Sequence, residues 1–151
     1  MKLAIGSDHA GFRLKEELKS FISSLGIEIK DFGCYSEDSV DYPDIAKEVS
    51  FSVVKGESDK GILICGTGIG MSIAANKIKG IRAAVGNELL SARLAREHNN
   101  ANILTLGARI IGIEVAKESV KIFIETPFLG GRHQRRVEKI REMEGEQCIS
   151  K

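Results

Sequence analysis

The sequence predicts a three-layer α/β/α sandwich: a doubly wound, Rossmann-like sheet of five parallel strands, with an extra C-terminal helix. Three observations carry that prediction. Short apolar runs alternate with amphipathic segments of roughly 10–15 residues, the pattern of repeated strand–helix–strand units. The run Gly61–Ile64 has no polar side, as expected of a strand covered by helices on both faces. Polar and glycine-rich residues gather where strand candidates end, at Asp8-His9, Cys65-Gly66-Thr67 and Gly107-Ala108-Arg109. Ligands in such sheets bind outside the carboxyl ends of the strands.

Each element has its own signal. Residues 2–8, "KLAIGSD", form a short apolar run ending in polar residues, a strand by length. Residues 11–26 place Phe12, Leu14, Leu18, Phe21, Ile22 and Leu25 at helical spacing, with Gly26 where a left-handed C-terminal cap belongs. Residues 27–32 alternate like a strand, and 33–43 form a loop whose Pro43 suits a first helical turn. The next helix covers "DIAKEVSFSVVKG", and the buried strand 61–64 follows. A helix over 69–80 closed by Gly80 leads to a strand over 81–86. "ELLSARLAREHNN" reads as a helix and "ANILTLGAR" as the fifth strand. Helices over "IGIEVAKESVKIFIET" and the charged "HQRRVEKIREMEGEQ" complete the chain. No repeat, linker or low-complexity stretch interrupts this, so residues 1–151 are expected to form a single domain.

Composition narrows the function. With 42% hydrophobic and 28% charged residues, the chain has an ordinary globular balance. A formal net charge of +1 provides no global field for nucleic acid or anionic membrane, so any basic site must be local. No apolar run approaches the ~18 residues that span a bilayer. Asp8 and His9 arrive too early for a secretory leader, and a cytoplasmic enzyme is expected. Cys34, Cys65 and Cys148 show neither C-x-x-C nor metal-type spacing, which argues against disulfides and a zinc site.

The segment "ILICGTGIGMSIAANKI" (62–78) raises the central question, because it sets Cys65 at the mouth of a glycine-rich turn. A dinucleotide fingerprint needs a third glycine at position 71, which is Met71; Glu88, some twenty residues on, could still mimic a ribose-binding acid. A phosphate loop needs lysine where Thr67 stands, and a cysteine phosphatase needs arginine where Met71 stands. What survives is a nest of backbone N–H groups, which binds anions and stabilises a thiolate. A thiolate beside an anion hole suits a general base acting on a C–H next to a carbonyl, with the nest holding the enediolate. A small buried hydrophobe at a strand end is the competing reading of Cys65.

His98 lies at a helix C-terminus, where histidine is also an ordinary dipole partner. His133 stands in "GGRHQRR", where Arg132 and Arg136 are four apart and share one helical face. They could converge on a phosphate, or form a solvated basic stripe.

Taken together, "GSDHAG" (6–11), "DYPD" (41–44), residues 61–84, "REHNNAN" (96–102), "LGAR" (106–109) and "GGRHQRRV" (130–137) resemble the type B ribose-5-phosphate isomerases and related sugar-phosphate isomerases, nearly end to end. The resemblance implies interconversion of ribose 5-phosphate and ribulose 5-phosphate without a metal or organic cofactor. Six-carbon substrates, allose 6-phosphate or galactose 6-phosphate, are the alternative. It makes Cys65 the base that moves a proton between C2 and C1, as in the members that carry this loop cysteine; others lack it and carry a glutamate elsewhere as base. Gly66, Gly68, Ile69 and Gly70 would form the anion hole, with the Thr67 hydroxyl close to the reacting centre. His98 would open the furanose ring. Asp8, His9, Tyr42 and Asn99 would contact the sugar, and Arg132, Arg136 and Arg109 the phosphate. The family's dimers or tetramers build the cleft from two subunits, and His98, Asn99 and Arg109 would come from the neighbour of the chain supplying Cys65. His133, Cys34 and Cys148 receive no role.

Overall fold

A computed structural model describes residues 1–146; Cys148 lies outside the described residues. The strands are β1 (Lys2–Ser7), β2 (Glu28–Asp31), β3 (Lys60–Cys65), β4 (Ala83–Val85) and β5 (Ile103–Gly107). The helices are α1 (Phe12–Ser24), α2 (Tyr42–Val54), α3 (Ile69–Ala75), α4 (Leu89–Asn99), α5 (Ile113–Glu125) and α6 (Arg132–Glu146). All strand pairs are parallel, in the order β2-β1-β3-β5-β4. Alternate residues of β3 face opposite layers, as the two-residue period of a strand requires. Ile62 and Ile64 join a core with Leu18 and Ile22 of α1, Ala92 of α4, and Val120 and Phe123 of α5. Leu63 and Cys65 face the other way, against Val49 of α2 and Met71 and Ala75 of α3.

Two boundaries differ from the expectation, for one reason. The helix predicted over 69–80 ends at Ala75, and the strand predicted over 81–86 keeps only Ala83–Val85. Asn76 explains both. Its amide donates to Ala83 C=O at 2.9 Å and accepts from Ala83 N–H at 2.8 Å. It thereby occupies hydrogen-bonding positions on the outer edge of β4 and turns the chain away from helix. An edge blunted in this way offers less backbone to a stray strand. The 33–43 loop is also shorter than expected, because α2 already begins at Tyr42, with Pro43 in its first turn.

One buried charge holds the β2 side of the sheet. Lys15 of α1 is fully buried, and its Nζ donates to both carboxylate oxygens of Asp31, at 2.8 and 2.7 Å. Lys19 adds a third bond to Asp31 at 2.7 Å.

Candidate functional site

Ten of the sequence-predicted site residues lie at the carboxyl edge of the sheet. Asp8 follows β1; its Oδ1 accepts the Gly11 N–H at 3.0 Å and closes the turn into α1. His9 Nδ1 accepts the Val40 N–H at 3.3 Å, which puts the ring proton on Nε2 and leaves that nitrogen free to donate. Cys65 ends β3, is 5% exposed, and accepts the Gly68 N–H on Sγ at 3.1 Å. Thr67 is exposed, and its Oγ1 accepts the Ile69 N–H at 3.2 Å, so its hydroxyl proton remains available to donate.

Two glycines in this loop are required by geometry. Gly68 has φ of 80°, and a Cβ there would stand 3.0 Å from the Leu106 backbone. A Cβ on Gly70 would stand 2.8 Å from Cζ of Tyr42, so the bare backbone of α3 lets the tyrosine ring lie directly against it. α3 has only 7 residues, so its dipole is short and the loop amides themselves carry most of the anion-attracting field.

Arg109 bears on one expectation. The turn after β5 lies beside the Cys65 loop of the same chain, with Ala108 N–H on Cys65 C=O at 2.8 Å and Arg109 N–H on Gly66 C=O at 2.9 Å. The guanidinium reaches to 3.4 Å from where a Gly66 Cβ would stand. Adjacency of β3 and β5 dictates this placement, so a single chain already brings Arg109 beside the Cys65 loop.

The other four predicted residues lie at the opposite edge of the sheet. α4 starts at the carboxyl edge, where Asn87 of the preceding turn bonds to Thr67 C=O at 2.9 Å. Its 11 residues then carry the chain about 16 Å back toward the amino edge. His98 and Asn99 stand at that far end, where Asn99 C=O accepts from Arg82 Nε just before β4. Asn100, at φ 46°, ends the helix in the left-handed conformation. His133 of α6 stacks on His98 with ring centroids 4.3 Å apart. Arg132 and Arg136 occupy the same first turns of α6 and complete a basic cluster. A groove of about 400 Å³ continues from it, lined by Arg82, Asn99, Ile140, Met143 and Glu144 among others.

Glu88 does not act as a ribose-binding acid in this arrangement. Its carboxylate caps α4 by accepting the Leu90 and Ser91 N–H groups, and bonds to Ser91 hold it below the usual carboxylate range. Sequence reasoning missed Asn87 and the His98–His133 stack. The signal for Asn87 was available: like Asp8, it is a polar residue just beyond the carboxyl end of a strand. Among the described residues no group of three or more His, Cys, Asp or Glu could hold a metal ion, and no helix is long and apolar enough to cross a membrane.

The comparisons with known proteins agree on one family. The family described as Ribose/Galactose Isomerase matches residues 3–140. A putative sugar phosphate isomerase of Bacillus subtilis is 54% identical over 145 residues, covering 95% of this chain and 97% of the relative. Ribose-5-phosphate isomerase B of Escherichia coli is 49% identical over 143 residues, covering 95% of this chain and 96% of the relative. Among solved structures, ribose-5-phosphate isomerase B of Clostridium thermocellum superposes with a TM-score of 0.96 at 51% identity, over 97% of this chain and 99% of that one.

Proposed function

The chain belongs to the ribose/galactose isomerase family, and from that membership we propose that it interconverts ribose 5-phosphate and ribulose 5-phosphate with Cys65 as the carbon base. The observation that carries the reading is the Gly68 N–H donating to Cys65 Sγ at 3.1 Å, in a loop of amides at the carboxyl edge of the sheet. A hydrogen bond to a charged acceptor is about twice as strong as one between neutral groups, so this N–H can hold the sulfur in place as it takes up and returns a proton.

With the sugar in its open form, the thiolate takes the proton from C2. The electron pair moves into a C1–C2 double bond, and the carbonyl oxygen on C1 becomes an enediolate oxygen. Loop N–H groups and the Thr67 hydroxyl stabilise that charge where it develops. Cys65 returns the proton to C1, and the hydroxyl proton on O2 moves to O1, which leaves a ketone at C2. His9, donating from Nε2, and Asp8 hold sugar oxygens, and the Tyr42 ring forms one wall.

Ring opening and phosphate binding need the second cluster, and two copies of the chain supply both. The carboxyl edge of one copy, with Cys65 and Arg109, faces His98, Asn99, Arg132 and Arg136 of the other. His98 takes the proton of the anomeric hydroxyl and delivers one to the ring oxygen, and the arginines hold the phosphate. Exposed apolar residues beside each cluster support this pairing. Ile69 and Ile73 on α3 are 56% and 58% exposed, and Met143 on α6 is 61% exposed. Apolar surface of this kind, rimmed by charge, marks an interaction face.

The test is an isomerisation assay across five- and six-carbon aldose phosphates on the wild type and on Cys65→Ser. The reading expects turnover of ribose 5-phosphate and its near abolition in Cys65→Ser, with substrate affinity within a few-fold. Turnover confined to six-carbon sugars would move the substrate, and a fully active, folded Cys65→Ser would remove the base.

A further inference from the structure

Asn87, in the turn between β4 and α4, bonds to Thr67 and Gly107 rather than to the thiol. We propose that it is a positioning residue that governs the reactivity of Cys65 through a single peptide plane, the one joining Thr67 to Gly68. The inference rests on Cys65 being the carbon base.

The Asn87 carboxamide works as a fork. Its Oδ1 accepts the Gly107 N–H at 2.7 Å, and its Nδ2 donates to the Thr67 C=O at 2.9 Å. In a planar trans peptide the C=O and the following N–H point in opposite directions. Holding the Thr67 carbonyl toward Asn87 therefore turns the Gly68 N–H the other way, and that N–H is the donor on Cys65 Sγ at 3.1 Å. Were the plane turned over, an acceptor oxygen would face the sulfur, and the thiolate would lose a donor and meet a repulsive dipole.

Packing cannot set this orientation by itself. The plane lies against the bare backbone of β5: a Cβ on Gly107 would stand 2.6 Å from the Thr67 carbonyl carbon and oxygen. Gly68 packs on Leu106, where a Cβ would stand 3.0 Å from its carbonyl carbon, with φ of 80°, a region glycine occupies at no steric cost. Those contacts fix where the plane lies, but a peptide flipped end for end has nearly the same shape. The hydrogen bond from Asn87 decides which end faces Cys65. Because Asn87 also bonds to Gly107, it registers the loop after β3 against the end of β5.

Two variants separate this role from a structural one. Asn87→Asp keeps an acceptor for the Gly107 N–H and places a second acceptor against the Thr67 carbonyl. Asn87→Ala removes both bonds. Each is compared with wild type by the pH profile of iodoacetamide alkylation, with Cys65 modification quantified by peptide mass to separate it from Cys34 and Cys148, and by kinetics on ribose 5-phosphate. Loss of one hydrogen bond to a charged group should slow Cys65 alkylation at neutral pH roughly tenfold and lower kcat by a similar factor. KM should change by less than about threefold, because uniform binding is untouched. A folded Asn87→Asp with a wild-type alkylation profile would overturn the proposal. So would failure of both variants to fold, which would assign Asn87 to stability. Alkylation reads the thiol without turnover, so this outcome is independent of whether Cys65→Ser shows that the thiol is the base.

Discussion

The imidazole of His98 lies flat on that of His133, with centroids 4.3 Å apart and planes 8° from parallel. Burial, then the neighbouring His98, Arg132 and Arg136, hold the His133 imidazole below the ordinary histidine value. That environment favours the uncharged imidazole, which offers His98 a flat aromatic face. His133→Phe, which keeps an aromatic face, should stay within about threefold of wild-type kcat, whereas His133→Ala should lose roughly three- to tenfold. Steady-state kinetics of the two variants check this. Equal losses in both would mean that the imidazole itself, rather than its face, is needed.

Arg132 and Arg136 share the first turns of α6 with His133. If they clamp the phosphate as proposed, they act on binding more than on chemistry. Removing either should raise KM for ribose 5-phosphate by on the order of tenfold or more, with a smaller effect on kcat. Unphosphorylated ribose, which lacks the group they hold, should show much less change. Equal losses on both sugars would assign these arginines to structure.

The Lys15–Asp31 pair sets a stability prediction. Burial works to raise the Asp31 carboxyl, but hydrogen bonds from Lys15, Lys19 and the Gly33 N–H outweigh it and hold the group below the usual carboxylate range. Asp31→Asn strips the fully buried Lys15 of its bidentate carboxylate and leaves Glu16, at 3.2 Å, as its only ion-pair partner. The cost should be about 3 kcal/mol, read from urea denaturation at neutral pH. A carboxylate with a depressed value in the folded state stabilises above its unfolded value and loses that contribution as pH falls through the folded one. The gap between wild type and Asp31→Asn should therefore be constant near neutrality and shrink below about pH 4. A gap that persists unchanged into acid would mean that Asp31 contributes shape rather than charge.

The sheet was readable because β3 is apolar on both faces and glycines or prolines mark most helix ends. Strand order was less so: β5 lies inside β4 because of long-range pairing that no local pattern encodes. The overlong third helix has a similar cause. Residues 76–80 keep helical composition, but the Asn76 side chain satisfies the edge of β4 instead. The glycine loop announced itself through its spacing and its cysteine. The place of Arg109 beside the Cys65 loop of its own chain could not be read from sequence, because that depends on β3 and β5 being neighbours. Asn87 escaped notice because its contacts, to Thr67 and Gly107, are both 20 residues away.

The central claim is that one cleft draws on two copies of the chain, since Cys65 and His98 stand at opposite edges of a single sheet. Mixing inactive oligomers of Cys65→Ala and His98→Ala after mild dissociation tests it most directly. A hybrid dimer has one cleft with both residues intact and one with neither. Random exchange of equal amounts makes half of the dimers hybrids, so activity should recover to roughly a quarter of wild type if clefts act independently. If subunit exchange is demonstrated and no activity returns, Cys65 and His98 serve the same chain's cleft and the two-copy account is contradicted.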